Sequence, residues 1–293
     1  MILVLGGAGY IGSHVAKLLR KRNIPHVIAD NLEKGHRSAC GESAFVQVDI
    51  RDANDIHDCV SSLKPEGVMH FASYISVGES MKQPDNYIAN NFGGSKNLLN
   101  AMAETGVKKI IFSSSAAVYG EPDEIPISED HTMNPTNTYG QTKKDVEELL
   151  QDFGSRNLVR SVSLRYFNAA GADPEGELGE DHRPEEHLIP IAIDAAVGRR
   201  SELTVFGNDY ETKDGSCIRD YVHVMDLAEA HLLAWESLED ETRLPVRTYN
   251  LGSENGFSVF EVIEVVEQVT GLKVPYKIGE RREGDPATFV ASC

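Results

Sequence analysis

Cysteine is scarce in this chain: four in 293 residues (Cys40, Cys59, Cys217 and Cys293), with no C-x-x-C pair among them. That scatter excludes a disulfide framework and the usual cysteine metal sites, so no metal is expected, and free thiols fit a reducing compartment. Positive charge is also short. The 28 Lys and Arg stand against 46 Asp and Glu, a formal charge of −18. Nucleic acid and anionic membranes need a basic surface, and neither is expected as a partner. An anionic small ligand would have to be gripped by a few local cations and helix ends. No apolar run approaches the roughly 18 residues that span a bilayer, and Ile2–Leu5 is too short for a signal-peptide core. Cytoplasm is the expected location. What remains is ordinary globular material, 41% hydrophobic and 25% charged, which excludes disorder.

The first half alternates short apolar or β-branched runs with longer helical patterns. Strands are predicted at Ile2–Leu5, His26–Asp30, Phe45–Asp49, Gly67–Phe71, Lys109–Ser113 and Ser161–Tyr166, and helices at Ile11–Lys21, Ala53–Leu63, Asp85–Thr105 and Tyr139–Phe153. This alternation predicts an α/β, doubly wound parallel sheet of the Rossmann type with ligands at the strand C-termini. After about Gly171 the texture changes. Asp173–Glu186 reads as a loop, Gly207–Gly215 as a turn-rich segment, and helical patterns recur at Ile189–Val197, Val224–Glu236 and Ser258–Thr270. We expect residues 1–170 to bind a dinucleotide, with core strands that continue further along the chain. Residues 171–293 are expected to form a smaller, mainly substrate-binding lobe.

Gly6-Gly7-Ala8-Gly9-Tyr10-Ile11-Gly12 follows a strand and opens a helix, with glycines spaced G-x-x-G-x-x-G from Gly6. Such glycines serve positive φ and close approach of backbone to a pyrophosphate, which the helix N-terminus then attracts. Asp30 ends the second strand 18 residues after Gly12. An acid there suits the adenosine ribose hydroxyls and repels a 2′-phosphate, favouring NAD over NADP; the alternative is a turn cap shared with Asn31. Asp49 and Ile50 have two open readings, flanking the adenine or forming an ordinary strand-end turn.

Tyr139 and Lys143 stand four apart in a helical stretch and share one face. A phenol titrates near pH 10, so an adjacent ammonium and a positive nicotinamide are needed to favour phenolate near neutrality. Upstream, the strand Lys109–Ser113 runs into Ser113-Ser114-Ser115-Ala116-Ala117-Val118-Tyr119-Gly120. A hydroxyl at that strand end, with the phenol and the lysine, makes a proton-handling triad for alcohol–ketone chemistry.

With these residues in place, the chain resembles the extended short-chain dehydrogenase/reductase superfamily, and within it the UDP-galactose 4-epimerase family, over nearly its whole length. The stretches that carry the likeness are Gly6–Gly12, Asp30-Asn31-Leu32, His70-Phe71-Ala72, Val77-Gly78-Glu79-Ser80, Asn90-Asn91, Ser113–Gly120, Tyr139–Lys143, Arg165-Tyr166-Phe167-Asn168, Arg219–Val224, Tyr249-Asn250-Leu251-Gly252 and Arg281-Arg282-Glu283-Gly284-Asp285.

The resemblance implies bound NAD and a UDP-hexose (UDP-galactose or UDP-glucose) epimerised at C4 through a transient 4-keto sugar. It implies Tyr139 as the acid/base, Ser115 on the reacting oxygen and Lys143 tuning the phenol. Tyr10, Ile11, Asn31, Phe71, Ala72, Asn90 and Phe167 fall at cofactor positions. Asn168, Arg219, Arg282 and Asp285 fall where the nucleotide diphosphate and uridine are gripped. Without that resemblance, Arg219–Asp220 and Arg282–Asp285 are as well read as surface ion pairs. Phe289 falls at the sugar pocket, where a bulky ring should disfavour an N-acetyl group at C2.

There are departures from the family pattern. Ile75 replaces a lysine found after the H-F-A strand end in some members. His187-Leu188 stands where some members have Asn-Leu, which leaves the substrate contact there open. The family continues some tens of residues beyond this point, so the second lobe is expected to lack its C-terminal end. The rivals are a nucleotide-sugar 4,6-dehydratase, disfavoured by Ala116-Ala117 where an Asp-Glu pair is usual, and a non-catalytic NAD-binding sensor. Pairing of Asp85–Thr105 and Tyr139–Phe153 across a two-fold axis would make a homodimer, while burial of the same helices on their own sheet is the other reading.

Overall fold

The computed structural model describes residues 1–282 and 284–293. In chain order it opens with β1 (Ile2–Leu5), α1 (Tyr10–Lys21), β2 (His26–Asp30), β3 (Ala44–Gln47), α2 (Ala53–Leu63) and β4 (Gly67–His70). There follow α3 (Val77–Lys82), α4 (Pro84–Tyr87), α5 (Gly94–Thr105), β5 (Lys109–Ser115), α6 (Thr138–Ser155) and β6 (Arg160–Tyr166). The remainder comprises β7 (Asn168–Ala170), α7 (Leu188–Ala196), β8 (Leu203–Phe206), β9 (Ile218–His223), α8 (Val224–Ser237), β10 (Val246–Leu251), β11 (Gly256–Ser258), α9 (Val259–Thr270), β12 (Tyr276–Gly279) and β13 (Thr288–Phe289).

The main sheet is parallel, with seven strands in the order β10-β6-β5-β4-β1-β2-β3. Its central strands are apolar on both faces: all four residues of β1 and of β4 are buried. Two-sided burial is what a sheet covered by helices requires. One core joins β1, α1 and α8 through Val4, Val15, Leu19, Leu227, Leu232 and Trp235. The other joins the opposite face to α2, α5 and α6 through Ile56, Leu98, Met102, Val146 and Leu150.

Two differences from the sequence reading stand out. The stretch Asp85–Thr105 is interrupted: α4 passes through a π-helical turn, Ile88–Gly93, before α5. Hydrophobic period alone does not register one such widened turn. The seventh strand, β10, also escaped notice. It is an edge strand with mostly half-exposed residues, so it lacks the apolar run of its neighbours.

The second half of the chain contributes α8 and β10 to the main sheet and builds a small mixed sheet around β9 beyond the strand ends, with β7, β11 and β13 as partners of β9. A third cluster packs α7 on α9, beside the pair β8–β12.

A buried polar network bolts β5 and α6, which present the triad, to β6 and β10. Glu147 on α6 and Arg165 on β6 pair at 2.6 Å, with side chains only 6% and 5% exposed. Ser114 of β5 donates to Glu147, Arg165 donates to the Tyr119 hydroxyl at 2.8 Å, and that hydroxyl donates to Asn250 of β10 at 2.6 Å. Glu147→Ala leaves the guanidinium buried and unpaired, and we expect a loss of about 3–5 kcal/mol in urea unfolding.

Candidate active site

The glycine run forms the β1–α1 turn. Gly6 sits at φ +79°, and a Cβ there would lie 2.3 Å from the Ala72 nitrogen, so Gly6 is needed by the fold itself. Gly12 is hemmed in similarly, with the Gly6 carbonyl 2.5 Å from its would-be Cβ. Gly9 differs. A Cβ there would meet only the Gly6 oxygen, at 3.4 Å, so nothing among the described residues demands a glycine. Gly9 is also the N-cap of α1, which carries no side-chain cap, whereas Asp52, Asn137 and Ser258 cap α2, α6 and α9.

An uncapped helix start behind a glycine with open space before it fits a dinucleotide pyrophosphate. Gly9→Val should therefore leave the fold intact and weaken NAD binding at least about tenfold. Gly6→Ala should instead unfold more easily, by about 1–3 kcal/mol or more. Thermal melts and NAD retention after desalting separate the two.

Around this turn, Phe71 and Ala72 lie in contact with Gly6, and the Phe71 ring packs on His231 with centroids 4.7 Å apart. Tyr10 donates its hydroxyl to the Gly171 carbonyl at 2.6 Å, and Ile11 packs on the α1–α8 core. Asp30 is 8% exposed and accepts from the Ala8 and Leu32 N–H groups at 3.0 and 2.8 Å. Burial raises its pKa while those two donors restrain the rise. It thus braces the glycine turn, and each oxygen keeps a lone pair for a further donor. Asn31 accepts from the Glu33 N–H.

At Asp49 the turn reading accounts for the carboxylate. Arg51 grips both its oxygens, at 2.9 and 2.6 Å, and holds its pKa down at about 2. Ile50 is buried against Gly94, so its side chain faces the core.

The triad residues converge from two elements. Ser115 ends β5, and its oxygen accepts the Ala117 N–H. Asn137 caps α6, accepting from Gly140 at 2.8 Å, and this cap aims the first turn with Tyr139 toward the sheet edge. Lys143 is 2% exposed and donates to the Ser113 carbonyl at 2.7 Å and the Ser73 hydroxyl at 2.8 Å. Its ammonium lies 5.7 Å from the centre of the Tyr139 ring.

Burial lowers the Lys143 pKa to about 7, against the pull of Glu147. Burial raises that of Tyr139, opposed by the neighbouring Ser115 hydroxyl. With Lys143 alone beside the phenol, desolvation dominates; the expected phenolate calls for the positive nicotinamide as well.

Ser73, the Ser113 carbonyl and the Glu147–Arg165 pair were missed from sequence. Only Glu147, one helical turn beyond Lys143, left a signal. Asn90 lies buried in the π-helical turn and donates to Asn91, which in turn fixes the Tyr74 backbone.

On the far side of the cleft, Phe167 stacks on Phe289 with centroids 5.2 Å apart, and Asn168 opens β7 alongside Tyr221 of β9. Arg219 pairs with Asp285 rather than Asp220, while Arg282 lies over the Phe206 ring at 4.0 Å. Glu283, between the last two polar candidates, lies outside the described residues. Asp220 is fully buried and accepts the N–H groups of Ser253, Glu254 and Ala291, so its role is to shape those loops. His187 is the N-cap of α7 and turns its ring toward Glu180 and Glu185, with Leu188 half-buried behind it.

Comparison with known proteins gives one family throughout. A UDP-glucose 4-epimerase of Halalkalibacterium halodurans is 50% identical over 291 residues, covering 99% of this chain and 86% of the relative. The crystal structure of UDP-glucose 4-epimerase from Brucella ovis in complex with NAD superposes with a TM-score of 0.96 at 47% identity, covering 99% of this chain and 89% of that one. The Bifidobacterium longum UDP-glucose 4-epimerase, in complex with NAD+ and UDP, gives a TM-score of 0.92 at 38% identity over 100% of this chain and 90% of that one. Residues 2–252 match the model of the NAD dependent epimerase/dehydratase family, and with the uncapped glycine turn and the Ser115, Tyr139 and Lys143 cluster already in view, the chain belongs to that family.

Proposed function

We propose that the chain interconverts UDP-galactose and UDP-glucose by inverting C4, with NAD as a resident cofactor. The observation that carries this is the convergence of Ser115, Tyr139 and Lys143, with Lys143 bonded to Ser73, one residue beyond the Ala72 that abuts the Gly6 turn before α1. NAD, when bound, would supply the hydride acceptor and donor.

The chain's own groups do the rest. Tyr139 takes the proton from the 4-hydroxyl and returns it to the same oxygen as C4 is reduced again on its other face. Ser115 holds the reacting oxygen through both stages. Lys143, fixed by Ser73 and the Ser113 carbonyl, adjusts the charge felt by the phenol. Gly6, Gly9, Tyr10, Ile11, Gly12, Asp30, Asn31, Phe71, Ala72, Asn90 and Phe167 line the cofactor's place. The backbone at Asp49 and Ile50 is left to face the adenine, since both side chains are engaged elsewhere. Asn168, His187, Leu188, Arg219, Arg282 and Asp285 receive the nucleotide diphosphate and uridine, with Arg219 exchanging Asp285 for phosphate oxygens; planar guanidinium forks suit the diphosphate.

The dehydratase reading fails on one feature: the turn after Ser115 is Ala116-Ala117-Val118, with no carboxylate to remove or deliver a second proton. We further infer a homodimer through the outer faces of α5 and α6, where Ile88 is 48% exposed just before α5. A cytoplasmic location rests on four free cysteines; among the described residues no helix is long and apolar enough to cross a membrane.

UDP-galactose incubated with the purified chain and no added NAD should yield UDP-glucose without lasting absorbance at 340 nm. Accumulating NADH marks a dehydrogenase, and absence of any product marks a sensor.

The Phe167–Phe289 stack narrows the sugar end. Phe289→Ala should raise the kcat/KM ratio of UDP-N-acetylglucosamine to UDP-glucose by about 10-fold or more, the scale on which pocket size discriminates between substrates.

A further inference from the structure

The loop between β7 and α7 carries a constellation of which the proposed reaction calls only on His187, at its edge. Glu180, His182, Glu185 and His187 each turn one donor atom inward, and the four atoms lie within 4.8 Å of one another. His187 Nδ1 lies 2.6 Å from Glu180 Oε1 and 3.1 Å from Glu185 Oε1. His182 Nδ1 lies 3.2 Å from Glu180 Oε1 and 3.6 Å from Glu185 Oε2. Three of the four side chains are sheltered, while His187 is 47% exposed. The Glu180 side chain is 7% exposed, Glu185 14% and His182 21%, and the Tyr10 ring stands edge-on to His182 at 6.2 Å.

A second observation points to a missing ligand. Glu180 Oε1 and His182 Nδ1 are buried polar atoms with no aligned hydrogen bond to any described residue. A carboxylate oxygen that is sheltered, crowded by two imidazole nitrogens and still unsatisfied is costly unless something shared sits between them.

We propose that Glu180, His182, Glu185 and His187 form a structural site for a divalent cation of the zinc type. Two carboxylates and two neutral imidazoles balance a 2+ charge. Zinc bonds of about 2.0–2.2 Å in tetrahedral array put donors roughly 3.3 Å apart; the four donor atoms here lie within 4.8 Å of one another, a spread that side-chain rotation closes onto an ion. Imidazole donors favour zinc-like ions over magnesium or calcium. All four positions are filled by side chains, which marks a structural rather than a catalytic ion.

The site clamps the loop beside the Gly9–Tyr10 turn. A nearby acidic cluster shows the contrast: Asp173, Glu175 and Glu177 also converge, but the Lys17 ammonium already occupies their centre at 2.5–2.9 Å. Cysteine spacing predicts no metal; the donors come instead from the run E-x-H-x-x-E-x-H, Glu180 to His187.

The test uses the full chain, stripped with a chelator and titrated with Co²⁺ followed optically and with Zn²⁺ by calorimetry. One equivalent per chain should bind, Co²⁺ giving visible bands of tetrahedral intensity. Glu180→Gln and His182→Gln should each weaken binding by at least about tenfold, and Glu177→Gln should leave it unchanged. Absence of bands and heat at saturating metal, unaltered affinity in His182→Gln, or equal weakening by Glu177→Gln would overturn the assignment.

Discussion

Tyr139→Phe should lower turnover of UDP-galactose by about 10³-fold, the scale contributed by a positioned acid/base, while NAD retention and melting temperature stay near those of the parent. The substitution removes one oxygen and keeps the ring that Lys143 faces. The phenol does not support the fold, since among the described residues its hydroxyl makes no bond that holds two elements together other than the contact with Ser115. The loss should appear in kcat with little change in KM, because the missing proton transfer belongs to the transition state. Ser115→Ala should show the same pattern more weakly. A Tyr139→Phe enzyme that turns over within a few-fold of the parent would remove the phenol from the reaction.

The second large effect concerns stability. Lys143 is buried among Phe112, Tyr139, Ser73 and the Ser113 carbonyl, and burial lowers its pKa from 10.5 to about 7. Below pH 7 the lysine is charged in both folded and unfolded chains, and the folded chain bears the full penalty of a buried ammonium. Between pH 7 and 10.5 the unfolded chain binds a proton that the folded chain does not, so folding becomes more favourable as pH rises. Lys143→Met removes this dependence. The parent should gain on the variant by about 2–3 kcal/mol between pH 7.5 and 9.5, the slope of one proton bound by the unfolded chain alone. At pH 7 and below, the variant should be the more stable of the two, although inactive. Urea unfolding of both proteins, freed of NAD, at several pH values measures the difference directly. Parallel curves across that range would mean that the ammonium stays protonated in the fold.

Together these expectations place the reaction's demands in conflict with the fold's. A lysine and a tyrosine are buried where neither is comfortable, and the network Ser114–Glu147–Arg165–Tyr119–Asn250 holds their elements in place. The parts of this arrangement legible in sequence are those whose chemistry is local. The glycine run, Asp30 and the i, i+4 pair of Tyr139 and Lys143 each announce themselves within a few residues of a strand or helix end.

Less legible were features set by contacts distant in the chain. Ser73 meets Lys143 from 70 residues away. β10 is an edge strand whose half-exposed residues resemble a loop. Asp49 looked equally suited to adenine or to a turn until Arg51, two residues on, was seen to take both oxygens. The raised direction of the Tyr139 phenol beside Lys143 alone was hidden for the same reason: the spacing reveals the neighbouring cation but not how thoroughly water is excluded.

The most direct measurement uses UDP-galactose carrying deuterium at C4. Retention of the label at C4 of the UDP-glucose formed, with none lost to solvent and no added NAD, is the expected result, because the same hydrogen leaves and returns as hydride within one closed site. Deuterium released to water, or product formed by a chain from which NAD has been fully removed, would contradict the account.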